Sequence, residues 1–489
     1  MLRLARYGVV VVWVALLVVL ARSQLPTATP PPATTPMPLG AGQATSQDEW
    51  SGLYMKGHKV GYAHTHIEPR GDGYRLDETS VMRLTVLDRE QNVRAVIGAD
   101  AGPDWAVRRF TVSLITDLGD FDVRGTVDAK TLVIAMDSGG ETTEQRLPLS
   151  EPVYLPSSAR AALQAQGLKA GASTTLRVFD PSALAQEPMT ITVVGRDTLT
   201  IDGVAVAAWK LHESFRGIES QVWLDEDGHT LREEGPMGLV TMRENADNAV
   251  NNGWDGAPFD LMGAVAIPVR EPLADPRHLA HLRAQLSGID GIAVPSDARQ
   301  ALRDGTLTVA REANVAATYE LPYSGEARRA DLQATPFLQI DHPSVQAAAR
   351  EALGDEREPR RAADRLRRWV YDNLEKRPVA SIPNAVQVLQ LRAGDCNEHA
   401  VLFAALARAV GLPSRIVAGL VYADGAFLYH AWDEVWLGNG WLTVDAAFDQ
   451  MPVDATHIKL IEGGPEMHAG LVPIIGRLSI DLLPPDSPG

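Results

Sequence analysis

With a single cysteine, Cys396, in 489 residues, the chain cannot close an internal disulfide. Positive charge is also short. Forty-five Lys and Arg stand against 62 Asp and Glu, a formal net charge of −17 with a pI near 5.2. That balance argues against nucleic acid or an anionic membrane as the main partner. The apolar run from Gly8 to Ala21 falls short of the ~20 residues that a spanning helix requires. From about Asp48 to Glu244 there is no nucleophile, no phosphate-cradling loop and no metal-ligand spacing.

What is present begins with Arg3 and Arg6 ahead of that apolar run, and Ala21-Arg-Ser23 as a small-x-small cleavage site. This layout makes residues 1–23 a secretory signal peptide or, left uncleaved, a single N-terminal membrane anchor. No cysteine lies near the cleavage point to carry a lipid. Residues 24–47, with Pro30 to Pro32 and many Thr and Ala, read as an extended linker. The expected location is periplasmic or secreted, with anchoring to an inner membrane as the variant. In the cell's exterior a lone thiol is an oxidation liability, so its retention asks for a reason.

Hydrophobic content of 45% and charged content of 22% are those of an ordinary globular protein, with room for about three domains. Residues 48–245 alternate with period two. Lys59 to Ile67, Tyr74 to Val86 and Arg109 to Thr116 read as strands, and Gly71-Asp-Gly73, Asp202-Gly203 and Asp227-Gly228 as hairpin turns. Ser157 to Gln166 is the one helical interruption of this β-rich domain. Asn245 to Pro258 has the composition of a boundary. A smaller β module then spans 262–335, with strands at Ala264 to Val269 and Thr306 to Val309. Residues 336–489 form a third part, entered by helices at Ser344 to Leu353 and Arg361 to Lys376.

Cys396 lies in the run Arg392-Ala-Gly-Asp-Cys-Asn-Glu-His399 at the mouth of an apolar helix. Asp395 is a good N-cap, and Gly411 with Pro413 closes the far end. From Ala400 to Val410 the helix is apolar nearly all round, broken only by Arg408, and so belongs in a core. A helix N-terminus favours the thiolate, which makes Cys396 a candidate nucleophile with a lowered pKa. Three strands follow: Ser414 to Tyr422, His430 to Leu437 and Trp441 to Phe448, an antiparallel meander. His430 opens the second and Asp445 lies near the end of the third. A thiol nucleophile needs an imidazole to move its proton and a carboxylate to fix that imidazole's tautomer.

Gly394 to Ala400, Leu406 to Arg415, His430-Ala-Trp and Trp441 to Asp445 together resemble the bacterial transglutaminase-like superfamily, over roughly residues 340 to 465. The resemblance implies a papain-like domain, helices packed on an antiparallel sheet, and an α+β chain in which β-rich domains precede it. It implies Cys396 as nucleophile, His430 as base and acid, and Asp445 as orienting carboxylate. Asp454 to Leu460 is similar to a segment that follows the third strand in exported members. Ala446-Ala447 stands where members often have Pro-Thr, and Asp433 where an apolar residue is usual.

Other readings stay open at this level. A lone Cys is often a small core hydrophobe. Glu434 shares a strand face with His430 and could orient the ring in place of Asp445. His399, three residues after Cys396, could be mistaken for the base. Asp395, Cys396, His399 and His430 could be assembled into a zinc set, but one Cys-x-x-His matches no common zinc spacing. His64 and His66 share one strand face. Oxyanion donors are the helix-start N–H groups, that of Cys396 among them, with Asn384, Gln387 or Gln390 as side-chain alternatives. The expectation is an exported cysteine hydrolase or acyltransferase acting on a peptide or protein substrate through a thioester. No metal and no cofactor is expected. The alternatives are an amine-transferring cross-linker and a non-catalytic binding module that keeps the fold.

Overall fold

The computed structural model describes residues 46–484, apart from 87–88, 118, 139–140, 181–184, 202, 252–257, 291, 314 and 378–383. The signal segment, most of the linker and the Asp202 turn lie outside the described residues. The chain divides into two compact units that meet in sequence at Asp260 and Leu261. Among the described residues no helix is long and apolar enough to cross a membrane.

The first unit is built on one sheet, antiparallel except for the short strand Phe259–Asp260, and its first strand lies in its middle. Gln47–Met55 pairs on one side with His58–Arg70 and on the other with Leu239–Glu244. From the first side the strands meander outwards to Glu141–Pro148, and from the second inwards from Ser173–Asp180. A sheet of this size curls under its own twist. Phe110 and Phe179 lie near opposite ends of the strand order, yet their rings stand 4.7 Å apart. The helix Pro156–Ala165 buries Ala159, Ala162 and Leu163 together with Arg160. A buried guanidinium must be paired, and Arg160 is held by Glu213 at 2.8 Å and Glu233 at 3.3 Å.

The second unit is built on the helix Cys396–Ala409. Asp395 caps it by accepting from the Asn397 N–H at 2.9 Å, and Glu398 returns a bond to the Asp395 N–H at 2.9 Å. Such a cap contributes ~1 kcal/mol. Gly411, at φ +78°, turns the chain away at the other end. Burial does the larger part: Val401, Leu402, Phe403 and Leu406 are fully enclosed, each contributing about 1.5–3 kcal/mol. Helices Pro343–Leu353, Pro359–Asn373 and Ala385–Leu391 pack around it, supplying Val345, Leu366, Val370 and Val388 to the same core.

The sheet beside this helix has Ser414–Ala423 paired with Ala426–Trp436, and Trp441–Val444 paired with the latter. Ile458–Glu462 joins on the far side of Ser414–Ala423. Residues 264–269, expected as one strand, instead form a helical turn at Leu261–Val265 and a two-residue strand, Ile267–Pro268. Pro268 has no N–H with which to extend the ladder. His281–Ser287 pairs with Thr306–Ala310 and with Ser479–Leu482 near the C-terminus.

Candidate active site

The cysteine helix and the histidine strand bring Cys396 and His430 to one place. The amide of Ala431, next after His430, lies close enough to the Cys396 sulfur to pull the thiol pKa down against its burial. His430 is 1% exposed, and its Nε2 lies 2.8 Å from Asp445 Oδ2. Its Nδ1 has no hydrogen-bond partner among the described residues. Glu434, the other carboxylate that could have oriented the ring, bonds Arg415 at 2.7 Å and Lys459 at 2.9 Å.

Asp445 does not sit within a strand. The third strand was expected to run to Phe448, but its ladder ends at Val444. The carboxylate itself ends it, because Asp445 Oδ1 accepts from the Ala447 N–H at 2.7 Å and the Phe448 N–H at 2.8 Å. Asp445 and Gln450 then close the turn with reciprocal 2.9 Å backbone bonds. The turn sets the Phe448 ring edge-on to His430, centroids 4.9 Å apart.

A second histidine shares the carboxylate. His457 Nε2 lies 3.1 Å from the same Asp445 Oδ2, and His457 Nδ1 lies 3.3 Å from Asp454. Asp454 in turn pairs with Arg277 at 2.8 Å. Arg299 donates to the carbonyls of His457 and Asp454, both at 2.6 Å. Sequence reasoning gave His457 no role, although it lies in the quoted segment Asp454 to Leu460. Arg277 and Arg299 lie far upstream of that segment and carried no local signal.

Burial pushes the Cys396 thiol well above its ordinary value, and the Asp395 carboxylate adds to the rise. This overturns the expectation of a lowered thiol pKa. The helix terminus contributes on the order of 1 kcal/mol, less than the several-unit shift that full burial imposes. Burial also lowers the His430 pKa, against the pull of Asp445. The resting pair is therefore a neutral thiol and a neutral imidazole. Burial opposes a charge on His457 too, but bonds to Asp445 and Asp454 outweigh it and hold its pKa up. Asp395 is pushed up to about 6, chiefly by burial, and Glu398 is raised well above its ordinary value.

His399 is not placed as a base. Its Nδ1 bonds the Asp395 carbonyl at 2.5 Å, and burial lowers its pKa to about 4. Asn384 caps the helix Ala385–Leu391 through the Gln387 N–H, Gln390 is exposed, and Gln387 is buried with no partner for its carboxamide oxygen among the described residues. His64 bonds Asp48 at 2.5 Å and stacks on Trp50 at 4.1 Å, whereas His66 lies 3.7 Å from Glu68. The donor atoms of His430, Asp445 and His457 do lie within 4.8 Å of one another, as a metal would require. The two imidazole bonds to one carboxylate oxygen account for that closeness, so the set reads as a hydrogen-bonded chain.

Residues 346–446 match the model of the transglutaminase-like superfamily, and residues 52–234 match a family described as protein of unknown function (DUF3108). The chain thus carries a transglutaminase-like domain towards its C-terminus, preceded by a large β-rich region. Among solved structures, a candidate cysteine protease from Cytophaga hutchinsonii aligns at 17% identity and TM-score 0.29. That alignment covers 42% of this chain and 81% of the other. A beta-barrel-like protein of the DUF1849 family from Brucella abortus aligns at 11% identity and TM-score 0.32, covering 41% of this chain and 95% of the other. A DUF1089 family protein from Pseudomonas aeruginosa aligns at 12% identity and TM-score 0.23, over 35% and 87% of the two chains. No curated protein matches.

Proposed function

We propose that this chain is an exported cysteine hydrolase or acyltransferase that acts on peptide or carboxamide bonds through a thioester. The observation that carries the reading is the 2.8 Å bond from His430 Nε2 to Asp445, which leaves Nδ1 without a partner among the described residues, on a strand packed against the cysteine helix. With both partners neutral at rest, His430 takes the thiol proton as Sγ attacks the carbonyl carbon. N–H groups at the start of the cysteine helix face the developing oxyanion. As the C–N bond breaks, His430 passes the proton to the departing amine and the acyl group stays on sulfur. Water, deprotonated by His430, then releases the acid and restores the thiol. A primary amine in place of water gives transamidation. We favour hydrolysis, since nothing in the site announces a dedicated amine pocket.

A thiol-reactive amide probe tests this. Labelling of the wild type but not of Cys396→Ala at neutral pH supports an enzyme, whereas no labelling of either supports a binding module. Product analysis with an added primary amine separates hydrolase from transferase.

A further inference from the structure

A cavity of about 480 Å³ has Phe448 in its wall. Phe448 is the residue whose ring stands edge-on to His430, so the cavity and the imidazole share one side chain. Three separate elements converge on it: the 277–311 segment, the helix Pro359–Asn373, and the turn that follows Asp445. They contribute Arg277, Arg311, Arg367 and Arg368 against Asp364 and Asp449, four positive charges and two negative. In a chain with a net charge of −17, a cluster of that sign stands out from the average surface.

The donors are not all used. Arg277 lies over the Phe448 ring at 4.7 Å and is matched by Asp454 at 2.8 Å. Arg368 bonds Asp364 at 2.7 Å, and Arg367 bonds Asp364 at 2.8 Å and pairs with Asp449. The Arg367 side chain is only 7% exposed, yet its Nε has no acceptor among the described residues. Arg311 bonds the Pro452 carbonyl at 3.0 Å and no carboxylate among the described residues. A buried guanidinium N–H without an acceptor is unfavourable unless something fills the place. Arginine's planar fork suits a carboxylate better than any neutral group.

We infer that this cavity is a subsite for a carboxylate on the acyl donor, so that substrates of the cysteine centre carry a negative charge close to the bond attacked. The inference rests on reading Cys396 as the nucleophile, but anion binding in the cavity can be measured without it. In the full-length Cys396→Ala chain, ligand-observed NMR would compare acetyl-glutamate amide, acetyl-alanine with a free terminus, and acetyl-glutamine amide. Binding of either carboxylate but not of the glutamine compound, weakened roughly three- to tenfold in Arg311→Gln, is expected. Which of the two carboxylates binds tells a side chain from a chain terminus. Equal binding of all three, or binding of none, overturns the subsite.

In the chain with its thiol intact, alkylation by anionic iodoacetate is compared with alkylation by neutral iodoacetamide. The iodoacetate to iodoacetamide rate ratio should fall about three- to tenfold in Arg311→Gln and again in Arg368→Gln, and more weakly with either change at 0.5 M salt. A ratio that ignores both substitutions and salt overturns the subsite. Failure of both reagents to reach the thiol, with carboxylate binding intact, sinks the nucleophile reading and leaves the anion site standing. Thermal unfolding of each variant shows that the fold is retained, and Arg368, at 65% side-chain exposure, is the substitution least able to disturb it.

Discussion

Replacing His457 with glutamine should raise the pKa of His430, and the size of the rise can be worked from the structure. The two imidazole centroids are 5.7 Å apart, and both rings bond one oxygen of Asp445. Coulomb's law at an effective dielectric constant of ~20 gives about 2.9 kcal/mol for unit charges at that separation, roughly two pH units. The sign follows from the raised His457 pKa, which favours a positive charge on that ring. A positive neighbour disfavours a second proton on His430, so its removal lets His430 protonate at higher pH. Glutamine keeps an N–H able to reach Asp445, so the change removes charge more than it removes a bond. The groups facing His457 are Asp445, Asp454, His430, Trp432 and Phe448, with Arg277 behind Asp454. Its own stabilisation is present below its unfolded value and is lost as pH rises through the raised folded value. The assay is a histidine NMR titration in the Cys396→Ala background, with and without His457→Gln, the His430 signal assigned by deletion. A rise of one to two units is expected. An unmoved or lowered His430 pKa would mean that His457 is neutral and serves only to pack, and the charge argument would be wrong.

Three further substitutions probe the same site. Asp445→Asn should lower kcat/KM by roughly 10²–10⁴ with little change in KM, measured on any substrate the labelling experiment delivers; a loss below tenfold would remove Asp445 from the machinery. Asp433→Asn should stabilise the chain increasingly with pH. Asp433 is fully buried, neither oxygen has a hydrogen-bond partner among the described residues, and burial raises its pKa well above the ordinary value. Keeping it protonated costs about 1.4 kcal/mol per pH unit from the ordinary value up to the folded one, so the gain in Tm should be near zero at pH 4 and several degrees at pH 7. A gain independent of pH would refute it. Asp395→Asn should lower the thiol pKa, followed by the pH dependence of iodoacetamide alkylation, since the Asp395 charge is among the causes that raise it; an unchanged profile counts against that contribution.

The parts of this site legible in the sequence are those fixed by neighbours along the chain. A capping aspartate, an apolar run and a glycine stop define the cysteine helix within one stretch, and a short turn joins the strand that carries His430 to the one that ends just before Asp445. What could not be read depends on groups distant in sequence. Arg299 reaches the carbonyls of Asp454 and His457 from more than 150 residues away, and no local period announces it. The β-rich half shows the same division. Its strands follow from alternation, but alternation cannot tell that Gln47–Met55 would pair with Leu239–Glu244, which places the first strand mid-sheet. The thiol's pKa was misread for a related reason: the helix start is visible in sequence, whereas the enclosure that outweighs it is a property of the packed unit.

The hydrogen-bond chain behind Cys396 explains how a dry site could perform this chemistry. Asp445 receives four donors, the two imidazoles and the Ala447 and Phe448 amides, and its pKa is held below the ordinary range against burial, so it does not accept the proton itself. With His457 protonated, as its raised pKa favours, the charges alternate: Asp445 negative, His457 positive, Asp454 negative, Arg277 positive, summing to zero. A neutral ion chain avoids the cost of one uncompensated buried charge. This chain of four groups therefore adds no net charge before the proposed attack by Sγ. In the proposed mechanism His430 then becomes positive beside Asp445 as the oxyanion becomes negative at the helix start, and the net charge of the enclosure does not change. On this account the high resting pKa of the thiol is compatible with reactivity. The proton needs only to cross to a base whose positive form has a carboxylate already in place, and the ion pair need exist only while the acyl group is being transferred.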